Sequence, residues 1–132
     1  MALASSVDVL SGGGGPAVDS NQKLHYVFGT LVASGNYSAG GDTWDLTAMT
    51  LPPGWNIPGF GVPMYVWIWE QSSAGNGGFL YAWKPGNALN NQLVQIFQSA
   101  AAGNPLGELG AGAYPNGVKN ATIKFCAVFA KA

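Results

Sequence analysis

The run Tyr65-Val66-Trp67-Ile68-Trp69 constrains this chain more than any other segment. Its residues are all β-branched or aromatic and fit a pleated strand, and because side chains alternate across a strand, both faces of this one are apolar. Such a strand needs cover on both sides. The rest of the chain supplies little solvating surface: 8% of the residues are charged, none is arginine, and 48% are apolar. A free-standing soluble domain is usually built with about 25–35% charged surface residues. The combination points to a structural or interaction module, covered on one face by another protein, and away from an enzyme.

With 132 residues the chain fits one domain, long enough to bury roughly two-thirds of its unfolded surface without a disulfide or metal staple. The single cysteine, Cys126, lies between Phe125 and Ala127 and reads as a small buried hydrophobe. Five lysines against six carboxylates give a net charge of −1. No field steers the chain toward nucleic acid or an acidic membrane, and neither is an expected partner. Residues 1–8 lack the basic and apolar regions of a secretory signal, and no apolar run approaches the ~20 residues of a membrane helix.

Residues 1–21 are small and polar around Gly12-Gly13-Gly14-Gly15-Pro16 and are expected to form a flexible N-terminal arm. Residues 22–132 are expected to form one all-β domain, a jelly-roll-like β-sandwich of six to eight strands. Leu24, Tyr26, Phe28, Thr30 and Val32 alternate with Lys23, His25 and Gly29 in a first strand. Ala39-Gly40-Gly41-Asp42 is turn chemistry, Thr43–Thr47 alternates again, and Pro52-Pro53-Gly54 ends that segment before a loop to Pro63. Met64–Glu70 and Phe79–Trp83 read as a hairpin centred near Ala74. That register faces Tyr65 with Trp83, Trp67 with Tyr81 and Trp69 with Phe79 as an aromatic ladder, and leaves open which face is the core. Lys84-Pro85-Gly86-Asn87 suits a type II turn leading to a strand at Gln92–Gln98, for which a short helix is the minor alternative. Val118–Ala130 closes the sheet.

Chemistry-bearing residues are sparse. His25 reads as a strand residue, and a Cys126–His25 dyad requires both side chains to face one pocket. Asp42 and Asp45, three apart on a strand, point to opposite faces, and Asp42 suits organising the Gly40-Gly41 turn. One cysteine, one histidine and scattered carboxylates form no zinc or calcium pattern, so no metal site, cofactor or catalytic residue is expected. The tryptophans and tyrosines are β-formers for core and interface; as sugar-stacking rings they also fit a carbohydrate-binding module. Ten asparagines and five glutamines take the place of charges, suiting a permanent wet interface.

Three segments, Tyr37-Ser38-Ala39-Gly40-Gly41-Asp42-Thr43-Trp44-Asp45-Leu46-Thr47, the aromatic hairpin Tyr65–Trp83, and Ala121-Thr122-Ile123-Lys124-Phe125-Cys126-Ala127-Val128, together resemble small tailed-bacteriophage virion proteins. The likeness spans about Leu24 to Lys131, and the chain departs from the pattern in its long Pro52–Pro63 insertion and nearly charge-free hairpin. The resemblance implies a capsid decoration or cement protein. Such a protein is made in the host cytoplasm and sits on the capsid exterior, bound to the major capsid protein as a homo-oligomer, a dimer or trimer. A tail or spike component is the alternative within the virion. The expected interface residues are Leu3, Val7, Val9 and Leu10 of the arm together with Trp44, Trp55 and Phe60. On this reading, deleting residues 1–15 weakens particle binding and leaves the fold intact.

Overall fold

The computed structural model describes residues 3–7, 17–18, 24–50, 61–70, 78–99, 103 and 105–130. Its strands are β1 (Leu3–Val7), β2 (Ala17–Val18), β3 (Leu24–Ala33), β4 (Asn36–Tyr37), β5 (Asp42–Trp44), β6 (Tyr65–Glu70), β7 (Phe79–Lys84), β8 (Gln92–Ser99), β9 (Leu106–Glu108), β10 (Gly112–Ala113) and β11 (Ile123–Ala130). A 3-10 turn at Leu46–Ala48 and one helical turn, α1 (Asn116–Lys119), complete the described elements. The fold is all-β and sandwich-like, as the alternating pattern predicts.

One mixed sheet runs β6-β11-β3-β1-β5-β8-β7, with β2 added to β3 and β9 to β8, and it curls into a half-barrel. Every pairing in it is antiparallel except β1 with β5, where Leu3 lies beside Trp44. A separate two-stranded sheet joins β10 to β4. Curling brings the two halves face to face over one core: the rings of Trp44 on β5 and Phe125 on β11 meet edge to face, centroids 4.9 Å apart. Gly29 makes this possible. A Cβ there would lie 2.4 Å from Phe125 Cζ and 2.3 Å from Ser6 O, so the Phe125 ring needs a glycine on the neighbouring strand.

The arm expectation fails for Leu3–Val7. These residues form a strand between β3 and β5, with Leu3 buried and Ser5 Oγ accepting a 2.9 Å bond from Trp44 Nε1 in the core. Small residues alternating with Leu3 and Val7 satisfy a crowded central position, and nothing in their composition distinguishes that from a tail. Residues 12–16, the glycine run and its proline, lie outside the described residues.

The expected β6–β7 hairpin pairing is corrected, although its Tyr65–Trp83 contact is present. β6 pairs with β11, β7 pairs with β8, and the two strands lie at opposite ends of the sheet order, brought near each other by its curl. Tyr81 Oη donates to Glu70 Oε1 at 3.2 Å, and the rings of Tyr65 and Trp83 lie 6.0 Å apart. Phe79, Tyr81 and Trp83 turn toward the core, whereas Tyr65, Trp67 and Trp69 turn away from it. Gly86 is required for a reason other than a type II turn: its φ is not positive, and a Cβ would lie 2.2 Å from Asn91 O. Gln92–Ser99 is strand throughout, and the segment between it and the closing strand contains β9 and β10.

Candidate functional site: the outer aromatic face

Alternation fixes what each strand of the β6–β11–β3 half presents. Val66 and Ile68 on β6, Ile123, Phe125, Ala127 and Phe129 on β11, and Val27 and Leu31 on β3 fill the core. The intervening residues form cross-strand rows on the outside: Tyr65–Val128–Tyr26, then Trp67–Cys126–Phe28, then Trp69–Lys124–Thr30. Met64 adjoins the first row, its backbone N–H donating to Val128 O at 2.7 Å. Exposure there is high for such side chains: Met64 60%, Tyr65 50%, Trp67 50% and Trp69 38%. The rings of Tyr65 and Trp67 pack at 4.3 Å, tilted by 52°.

These aromatics shield the smaller residues between them. Cys126 is buried although it points outward, flanked by Trp67 and Phe28 on the adjacent strands. Burial pushes its thiol up, which keeps it protonated and a poor nucleophile. His25 lies on the opposite, inward side of the sheet, paired with Phe129, so the two do not form a dyad. Among the described residues the face carries, besides that thiol and the Tyr26 and Tyr65 phenols, the ionisable side chain of Lys124, whose Nζ donates to Thr30 Oγ1 at 2.8 Å. Apart from Lys124 the described face is apolar, an exposed patch of the kind that marks interaction sites.

A different chemistry occupies the β5–β8–β7 half. Asp42 Oδ1 accepts from Ser38 N at 2.9 Å and organises the Gly40-Gly41 turn, as its sequence position predicts, while Oδ2 is buried without a hydrogen-bond partner. Desolvation raises its carboxyl above the ordinary 3.8. Glu108 Oε1, on β9, accepts from Tyr37 Oη at 2.7 Å and Gly40 N at 2.6 Å; these bonds hold it below the usual carboxylate value. Burial pushes the Tyr37 phenol up to about 12 while its oxygen accepts from Ile96 N at 3.1 Å. Buried Gln92 is a second hub, accepting from Trp83 Nε1 at 2.8 Å and Gly86 N at 3.2 Å and donating to Ala88 O at 2.7 Å. These groups knit loops to the sheet. Among the described residues no three of His, Cys, Asp and Glu gather as a metal cluster.

Of the interface residues expected from sequence, Trp44 and Leu3 sit in the core and are not anchors: Trp44 is 0% exposed and hydrogen-bonded to Ser5. Its polar neighbours Thr43 and Asp45 disguise a strand whose alternate residues turn inward. Val7 belongs to β1, its side chain outside the described residues, as are Val9, Leu10, Trp55 and Phe60 entirely. The sequence reading did not single out the outward-facing aromatic residues Tyr65, Trp67 and Trp69, together with Tyr26 and Phe28, as a surface. Alternation set these residues on one face of each strand, but the ring of Phe125 crowding Gly29, which marks the inner face of β3, is seen only in the fold.

No protein-family model, curated protein or solved structure matches the chain.

Proposed function

We propose that the chain is a structural, non-catalytic subunit of a phage virion, of the capsid decoration kind, which works by being tiled against other protein on the exterior of the head. The observation that carries this reading is the outer aromatic face. Met64, Tyr65, Trp67 and Trp69 are half-exposed on a largely apolar sheet surface, and water contact of that extent is relieved when a subunit is built into an assembly. The neutral, amide-rich turn with exposed Asn87, Asn90 and Asn91 offers hydrogen-bonding groups to the major capsid protein without the desolvation cost of ions. Resemblance of the Tyr37–Thr47 and Ala121–Val128 segments to decoration proteins supports the same reading.

The test is to mix purified protein with undecorated phage heads and follow co-sedimentation. Saturable binding and heads that resist heat better are expected; no binding to any head overturns the proposal, and labelled protein found on tails instead makes it a tail component. The exposed aromatic line of Tyr65, Trp67 and Trp69 along β6 favours one other reading, a sugar-stacking surface. Saturable quenching of tryptophan fluorescence by a soluble glycan selects it.

A further inference from the structure

We infer that the outer face of β6–β11–β3 is a self-association surface, and that the chain pairs with a second copy of itself by laying these two faces together. The inference rests on the assembly reading above and names the occupant of its site.

Three features favour a second copy. The first is area. Half-exposed aromatic and methionine side chains, with the partly open Leu24, Tyr26, Phe28 and Val32 beside them, leave roughly 600 Å² on one copy. Face-to-face pairing then buries about 1,200 Å², the lower end of specific protein interfaces. The second is charge. Among the described residues the face has no carboxylate to answer a basic partner, and Lys124, bonded to Thr30, is its one ammonium group. A like surface needs no complementary charge.

The third is symmetry. Two twofold axes lay such a face on itself: one along the strands, one across them. An axis along the strands sets each row against its own copy and brings two Lys124 ammonium groups together. An axis across the strands reverses the row order. Trp67 then meets Trp67, Tyr65 meets Trp69, and Lys124 comes to lie over the Val128 row, away from its twin. The second arrangement buries the aromatic residues and separates the charges. Two sheets stacked this way, each already packed on its own core, form a continuous four-layer body.

Sedimentation equilibrium of the full chain across a wide concentration range tests the pairing. A species of twice 13.6 kDa, dissociating on dilution with a red shift of tryptophan emission, is expected. Trp67→Glu is expected to raise the dissociation constant roughly thirtyfold or more, as for a central aromatic anchor, while its circular dichroism and melting show an intact fold. Leu80→Glu, an exposed position on the outer side of β7, should leave the pairing unchanged. A wild-type chain that remains 13.6 kDa at every concentration overturns the inference, as does a Trp67→Glu dimer as tight as the wild type. A monomer whose fluorescence responds saturably to a glycan also overturns it. The two proposals fail separately: a monomer that decorates heads sinks only the pairing, and a dimer that ignores them sinks only the virion role.

Discussion

The two halves of the curled sheet are stabilised by different means. In β6–β11–β3 the core side is aliphatic and aromatic, the outer side is aromatic again, and a side-chain hydrogen bond from Lys124 to Thr30 crosses between strands. In β5–β8–β7 the core side holds Trp44, Val94 and Ile96, but also Asp42 and Gln92, and polar bonds to Tyr37, Glu108 and Gly86 anchor the adjoining loops. Packing is non-directional, so the first half can present the same chemistry on both sides and be finished by a partner. Hydrogen bonds are directional and costly to leave unmade, so the second half must complete its own. The proposed association therefore belongs to one half, and the shifted carboxyls of Asp42 and Glu108 to the other.

The largest test of that division removes the strand that joins the halves. Deleting residues 1–7 takes away the pairings of β1 with β3 and β5 and the Ser5–Trp44 bond. The loss is on the order of the whole stability of a small domain, about 5–15 kcal/mol, and thermal melting should show no cooperative transition. A deletion variant that melts like the wild type would show that the halves do not depend on β1. Next comes Gly29→Ala, which drives a methyl into Phe125 and Ser6 O and should cost about 3 kcal/mol in urea unfolding. Gln92→Leu attacks the other half. It leaves the Trp83 indole N–H, the Gly86 N–H and the Ala88 carbonyl without that partner, for a loss of about 2 kcal/mol and little effect on association.

The smallest effect is the most diagnostic. The Asp42 carboxyl holds its proton more tightly folded than unfolded, so its contribution is full below the ordinary 3.8 and is lost as pH rises through the folded value. Glu108 behaves oppositely: its value is depressed in the fold, so its contribution is present above the ordinary 4.5 and disappears as pH falls through the folded value. Asp42→Asn should keep the bond from Ser38 N and flatten the loss on the alkaline side. Melting temperatures of wild type and variant should converge toward acid and separate as pH rises from about 4 toward neutrality. Equal slopes would remove Asp42 from the account.

Fold class was legible because alternation over Leu24–Val32, Tyr65–Trp69 and Thr122–Phe129 is a local signal, set by the pleat alone. The Gly40-Gly41-Asp42 turn was legible for the same reason. Which face of each strand turns inward was not, since Tyr65-Val66-Trp67-Ile68-Trp69 is apolar on both sides and only pairing with β11 decides it. β1 was invisible because five small or aliphatic residues carry no strong propensity and owe their strand to neighbours far along the chain. Trp44 was misplaced because a three-residue strand is too short for a period to register. The outer face was half-read: the need for cover was clear from composition, but its rows join residues from three separated segments.

The order of the sheet sets a schedule for synthesis. β11 lies between β3 and β6, both of which leave the ribosome well before it. Until it arrives, those two strands each offer a bare backbone edge beside aromatic side chains, the arrangement that recruits stray strands from other nascent chains. β11, the latest of these three strands to emerge, works as a keystone, and anything that delays it lengthens the interval in which this molecule is most prone to aggregate.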